Sequence, residues 1–148
     1  MTEDDLDEVA EIEATSFPVP WSRDLFLREL QHDYSHNLVA RWLDGESKRV
    51  AGYVVFWDVK DEIHLLDLAV HTDFRRRGIA KTFLKRVIEA GLQMGCKRIF
   101  LDVRESNEEA LRLYRHFRFK EIGLRERYYK DGENAIVMST KLTSNLLV

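Results

Sequence analysis

Leu65-Leu66-Asp67-Leu68-Ala69-Val70-His71-Thr72-Asp73-Phe74-Arg75-Arg76-Arg77-Gly78-Ile79-Ala80 is the stretch whose reading decides the fold. An apolar strand leads through a short polar loop into a basic glycine turn and the start of an amphipathic helix. The first turn of a helix has N–H groups without intrahelical acceptors, and its dipole favours anions there. A glycine at position 78 lets the backbone approach a bound group with no Cβ in the way. Arg75, Arg76 and Arg77 add positive charge at the same point. Taken alone, an arginine run reads equally well as a solvated charged loop. The strand before it and the helix after it favour an anion site, and the expected guest is a phosphate, specifically a pyrophosphate.

The helix is well supported. Ile79, Ala80, Phe83, Leu84, Val87, Ile88 and Leu92 recur at helical spacing, with Lys81, Thr82, Lys85, Arg86, Glu89 and Gln93 opposite and Gly95 as a stop. Two common nucleotide motifs are excluded. A Walker loop needs a lysine and a hydroxyl after its second glycine, whereas Gly78 is followed by Ile79 and Ala80. A dinucleotide fingerprint needs three spaced glycines, and this turn has one. Arg-x-x-Gly-x-Ala after an apolar strand, Arg75 to Ala80, resembles the coenzyme A pyrophosphate loop of the GNAT family of N-acetyltransferases.

The chain has 148 residues, 45% of them hydrophobic, which suits one domain with a real core. Its net charge of −3 gives no global field for nucleic acid, and no aromatic-plus-basic stripe accompanies the arginines. The single cysteine, Cys96, rules out an internal disulfide and reads as a buried thiol in a reducing compartment. The acidic N-terminus is unlike a signal peptide, and no apolar run reaches membrane-spanning length. A cytoplasmic protein is expected, binding neither nucleic acid nor membrane and acting as a monomer or weak homodimer. His32, His36, His64, His71 and His116 lack metal-site spacing, so no metal is expected. His64 and His71 flank the central strand and could serve as bases, although surface histidines are the plainer reading.

Along the chain, Thr2 caps a loosely helical segment carrying Leu6, Val9, Ala10, Ile12 and Phe17, which Pro18 and Pro20 stop. Ser22 caps a second helix. Segments 37–43 and 50–59 read as a hairpin around Asp44-Gly45, and 62–70 as a third strand. Segment 98–103 alternates, with Ile99, Leu101 and Val103 on one face. Ser106-x-x-Glu109 reads as a capping box for a helix with Ala110, Leu111, Leu113, Tyr114 and Phe117. Segment 119–142 reads as two strands joined around Asp131-Gly132. Residues 1–142 are taken as a single domain and 143–148 as a frayed tail. The expected class is α/β, with a mixed sheet: one twisted, mostly antiparallel sheet with a central parallel pair and helices on both faces.

The resemblance to the GNAT family extends over nearly the whole chain in element order. Within that family, three more pieces are similar to the ribosomal-protein alanine N-acetyltransferases: Leu101-Asp102-Val103-Arg104-Glu105-Ser106-Asn107, Ala110 to Tyr114 with Phe117-x-Phe119, and Arg127-Tyr128-Tyr129 followed by Asp131 to Met138. Pro20-Trp21-Ser22 is a further echo. The resemblance implies acetyl-CoA as cosubstrate, with its pantetheine along Leu68, Ala69 and Val70. It puts the pyrophosphate on Arg75, Arg76, Arg77, Gly78, Ile79, Ala80 and Lys81, and a further contact on Asn107.

It also implies roles for two side chains. Asp102 matches the family's general-base glutamate but is one methylene shorter, a loss of about 1.5 Å in reach. Proton transfer wants contacts of ~2.6–3.2 Å, so a bridging water or another carboxylate such as Glu105 would help. Asp102 reads alternatively as a strand carboxylate paired with an arginine. Tyr114 matches the tyrosine that protonates the departing thiolate, and also fits as a core residue of its helix. The implied activity is acetylation of the N-terminal alanine α-amine of a small-subunit ribosomal protein. The acceptor peptide would lie between the Phe17–Trp21 loop and the Arg127–Tyr129 segment. Acetylation of a small amine, such as a polyamine or antibiotic, and a non-catalytic CoA-binding module are the competing readings.

Overall fold

The computed structural model describes residues 1–148. Its strands are β1 (Ser35–Asp44), β2 (Ser47–Val59), β3 (Glu62–Val70), β4 (Arg98–Arg104), β5 (Lys120–Arg125) and β6 (Ala135–Lys141). They form one sheet in the order β1-β2-β3-β4-β6-β5. Only β3 and β4 run parallel; the other neighbours are antiparallel. The helices are α1 (Leu6–Ser16), α2 (Arg23–Glu29), α3 (Ile79–Gln93) and α4 (Glu108–His116). The crossover through α3 makes the parallel pair, because a strand returning in the same direction needs a long connection. This is the architecture expected from the sequence.

Strand alternation divides the core between the two faces of the sheet. Tyr53 and Val55 of β2 join Leu6, Val9, Ile12 and Phe26 from α1 and α2. Val54 and Phe56 join Phe83, Leu84, Val87 and Ile88 of α3, the stripe read from the sequence. Tyr114 of α4 and Phe117, which follows that helix, pack on this second side. Helix α3 closes with Gly95 at φ 74°, the Cys96 N–H donating to the Gly91 carbonyl at 2.9 Å and the Gly95 N–H to that of Leu92 at 3.2 Å. These two bonds satisfy carbonyls that would otherwise end the helix unpaired.

Part of the tail 143–148, expected to fray, folds against the core. Ser144–Leu147 forms a short 3-10 turn, and Leu146 is buried in the core beside α3. The apolar Leu142 and Leu146 seal the end of that core, which offsets the entropy of ordering a terminus. Strand β5 is an exposed edge, paired only with β6.

Candidate active site

The site arises where the parallel pair comes apart. Pairing between β3 and β4 runs from Glu62↔Arg98 to Leu65↔Leu101 and then stops. Beyond it, β3 follows β2 through a bulge that leaves Leu66 unpaired, since Val55 faces Asp67 and Phe56 faces Leu65. Strand β4 continues with β6 as far as Arg104↔Ala135. The two centre strands diverge, and a cleft of about 890 Å³ opens between them.

One wall is the strand and turn read first in the sequence. Leu68, Ala69 and Val70 line the cleft, as do Arg75, Arg76, Gly78, Ala80 and Lys81. A 3-10 turn over Thr72–Phe74 redirects the chain, with the His71 Nδ1 accepting from the Asp73 N–H at 3.0 Å. The Arg75 Nε donates back to the Val70 carbonyl at 3.3 Å. Gly78, at φ 78°, starts α3, and no side chain caps its first turn. The free N–H groups there and the adjacent cations form an anion cradle.

Two turn residues differ from expectation. Arg77 points out of the cleft and lies 4.6 Å over the Trp42 ring, which itself packs on Phe74. The negative face of the Trp42 ring quadrupole on β1 attracts this guanidinium, and of the three arginines Arg75 and Arg76 line the site. The Ile79 side chain packs against the core beneath α3 and leaves only its backbone for a ligand.

The opposite wall comes from β4 and α4. Asn107 lines the cleft and caps α4, its side chain accepting from the Ala110 N–H at 3.2 Å. Ser106 is therefore not the cap: its N–H donates to the Glu133 carboxylate at 2.8 Å across the loop. Tyr114 is 8% exposed and borders the cleft, its ring tilted on Phe119 at 5.6 Å. Burial, then the nearby Asp67 carboxyl, pushes the Tyr114 hydroxyl well above the ordinary phenol range, so it stays protonated. Asp102 borders the cleft and pairs with Arg125 at 3.2 Å, the arginine-paired strand carboxylate of the alternative reading.

The remaining candidates lie elsewhere. Glu105 accepts from Asn134 at 3.1 Å and does not line the cleft. His64 pairs with Glu62 at 3.0 Å and stacks on Phe100, and His71 is spent on its turn.

Some site residues had no role assigned to them from the sequence. Arg104, 8% exposed, donates to Asp131 at 2.8 and 3.1 Å and to Glu133 at 2.9 Å, and lies 4.0 Å over the Tyr129 ring. This network anchors the loop between β5 and β6 at the cleft mouth. Hydrogen bonds from Ser106 and then Arg104 hold the Glu133 carboxyl below its usual range. Burial, followed by the Asp102 charge, pushes Tyr129 up to about 12. Glu13 and Asp67 also line the cleft and are buried. A carboxylate on the apolar stripe of a helix, and another inside an apolar strand, were the signals that mark them.

A family model described as the acetyltransferase (GNAT) family matches residues 6–119. The chain belongs to the GNAT acetyltransferase family. A Bacillus subtilis (strain 168) protein, provisionally named a [ribosomal protein bS18]-alanine N-acetyltransferase, is 36% identical over 137 residues, covering 91% of this chain and 88% of its own. The [ribosomal protein bS18]-alanine N-acetyltransferase of Haemophilus ducreyi (strain 35000HP) is 32% identical, covering 96% and 97%. The crystal structure of the ribosomal-protein-S18-alanine N-acetyltransferase from Escherichia coli superposes with a TM-score of 0.84 at 29% identity, over 97% of this chain and 91% of that one. As a GNAT member the chain is an N-acetyltransferase, and its acetyl donor is acetyl-CoA. The cradle fits that donor: an anion site on a helix N-terminus, reached along an open strand edge, suits a pyrophosphate carrying an amide-bearing arm.

Proposed function

We propose that this GNAT enzyme acetylates the α-amine of a protein N-terminus beginning with alanine, with ribosomal protein bS18 as the acceptor. The observation that carries this reading is the lining of the cleft. The β3 edge and the basic turn at Arg75, Arg76 and Lys81 line one part of it, the part read as the phosphate site, and Phe17, Pro18, Val19, Trp21 and Tyr129, from the two segments expected to border the acceptor, line it too. The names of the relatives supply the acceptor. The pantetheine would pair with the free edge of β3 at Leu68–Val70, and the pyrophosphate would sit on Arg75, Arg76, Lys81 and the first N–H groups of α3, near Asn107.

The reaction is direct attack of the amine on the thioester. The amine must first lose a proton, and its unperturbed pKa is about 7.7–8.0. The sulfur must leave as a thiol, and Tyr114, kept protonated by burial, is the donor at hand. Asp102 on β4 and Asp67 on β3 both border the cleft where the amine would enter. A ribosomal-protein acceptor fits a reaction in the cytoplasm. No helix is long and apolar enough to cross a membrane.

The test is mass spectrometry of a synthetic peptide with an alanine N-terminus, incubated with the protein and acetyl-CoA. The expected result is one added acetyl group on the α-amine, and none on an otherwise identical peptide with a blocked N-terminus. An unmodified peptide, with acetyl-CoA binding shown by titration, rules out the assignment. Preference for polyamines or aminoglycosides in the same assay reassigns the acceptor.

A further inference from the structure

Deep in the cleft, ionisable side chains from separate elements meet with no cation among them. Glu13 of α1 is 2% exposed. Its Oε1 accepts from the Tyr53 hydroxyl at 2.5 Å, and its Oε2 accepts from the Trp21 N–H at 2.9 Å. Asp67 of β3 is 8% exposed and lies within hydrogen-bond reach of the Glu13 carboxyl. Its Oδ2 is sealed from solvent and has no donor from any part of the protein. The groups facing Asp67 are Glu13 from α1, Tyr53 from β2 and Tyr114 from α4.

A sealed carboxylate oxygen with no donor, beside a second carboxylate, is an unstable arrangement. Two like charges in contact do not both ionise, and one proton between them turns the repulsion into a hydrogen bond. Burial, then the hydrogen bond and charge of Glu13, raise the Asp67 carboxyl well above its ordinary range. Asp102 is different: it has Arg125 as a counter-ion and 29% of its side chain is exposed.

We infer that Glu13 and Asp67 share one proton and that this pair, with Asp67 as its cleft-side member, accepts the proton of the incoming α-ammonium. This rests on the reading of the site as an α-amine acetyltransferase. The resting pair holds one proton and one negative charge, and the ammonium supplies the missing cation. One N–H proton moves to the pair, which becomes neutral. The freed lone pair forms the N–C bond to the thioester carbonyl, and the C–S bond breaks with its electrons on sulfur. Tyr114 gives its proton to that sulfur and recovers one from the acetylated nitrogen. The pair then returns its proton to solvent, so the net products are the amide, the thiol and one proton. Glu13 acts through Asp67 and is a positioning residue. Its bond to the Trp21 N–H ties the pair to the loop that borders the acceptor.

The test compares wild type, Asp67→Asn, Glu13→Gln and Asp102→Asn in the full-length chain with acetyl-CoA and the alanine peptide. Asp67→Asn is expected to lower kcat by about 100-fold or more, the scale of general-base loss, with acetyl-CoA affinity retained. Glu13→Gln leaves Asp67 as the lone carboxyl, raised by burial and with no partner to share its proton, so the acid limb of kcat moves to higher pH, which a structural role would not produce. Asp102→Asn, which breaks the pair with Arg125, is expected to raise KM for the peptide more than it lowers kcat. Infrared spectroscopy of the unliganded wild type should show a protonated-carboxyl C=O stretch at neutral pH that is lost in Asp67→Asn. Undiminished kcat in Asp67→Asn, an acid limb unmoved in Glu13→Gln, or absence of the infrared band each overturns the inference. If wild type acetylates no α-amine, the acceptor reading falls, and the infrared band, which needs no turnover, still decides the shared proton.

Discussion

Tyr114 combines two demands in one side chain. Its ring packs on Phe119 in the core, and its hydroxyl makes no hydrogen bond within the chain. Removing that oxygen therefore deletes chemistry and leaves packing intact. Tyr114→Phe is expected to lower kcat by 10-fold or more, on the order of general-acid catalysis, with acetyl-CoA affinity and thermal midpoint unchanged. Steady-state kinetics beside a melting curve check this. Unchanged turnover returns Tyr114 to the core alone. Asp102 shows how a neighbour redirects a residue: its match to a catalytic position was legible in the sequence, but the Arg125 guanidinium across 23 positions of chain was not.

At the scale of elements, the cleft depends on β2 and β3 staying close while β3 and β4 part. Gly52 makes the first possible. A Cβ there would lie 2.7 Å from the Ala69 carbonyl oxygen and 3.2 Å from the Phe83 ring. The carbonyl is backbone in the strand that borders the cofactor wall, so it yields only by moving the strand. Gly52→Ala is expected to cost roughly 1–3 kcal/mol of stability, the range for overpacking, and to weaken acetyl-CoA binding. Chemical denaturation and a binding titration measure the two effects, and a variant with native values in both disproves the close-approach account. The turn into α3 illustrates what local reading can and cannot reach. Its strand, loop and helix were legible because period and glycine placement are local properties. The departure of Arg77 toward Trp42 was not, because β1 lies far away in sequence.

The whole molecule carries opposing pH dependences. Asp67 is raised by burial and by Glu13, so the stability of its neutral form is fully present below the unfolded value, about 3.9, and is lost as pH rises through its folded value. Asp5 and Glu133 work the other way. Burial alone would raise Asp5, but the Thr2 N–H and Arg41 outweigh it, and both carboxyls end below their ordinary values. Their contribution is present above the unfolded value and lost as pH falls through the folded one. Asp67→Asn is therefore expected to raise the thermal midpoint, with a gain over wild type that widens as pH rises from about 4 and levels off above the folded value. Melting curves across that window check it; a gap independent of pH contradicts the burial of an ionisable Asp67. The sequence by itself determined the strand, glycine turn and helix around Gly78, the order of elements, the mixed sheet and the family, because periodicity, glycine and charge placement act over a few residues. Only the tertiary structure decided which cations enter the cleft, that Asn107 rather than Ser106 caps α4, that the tail packs on α3, and that Glu13 meets Asp67. Those outcomes depend on contacts between residues distant in the chain, and spacing along a sequence does not encode them.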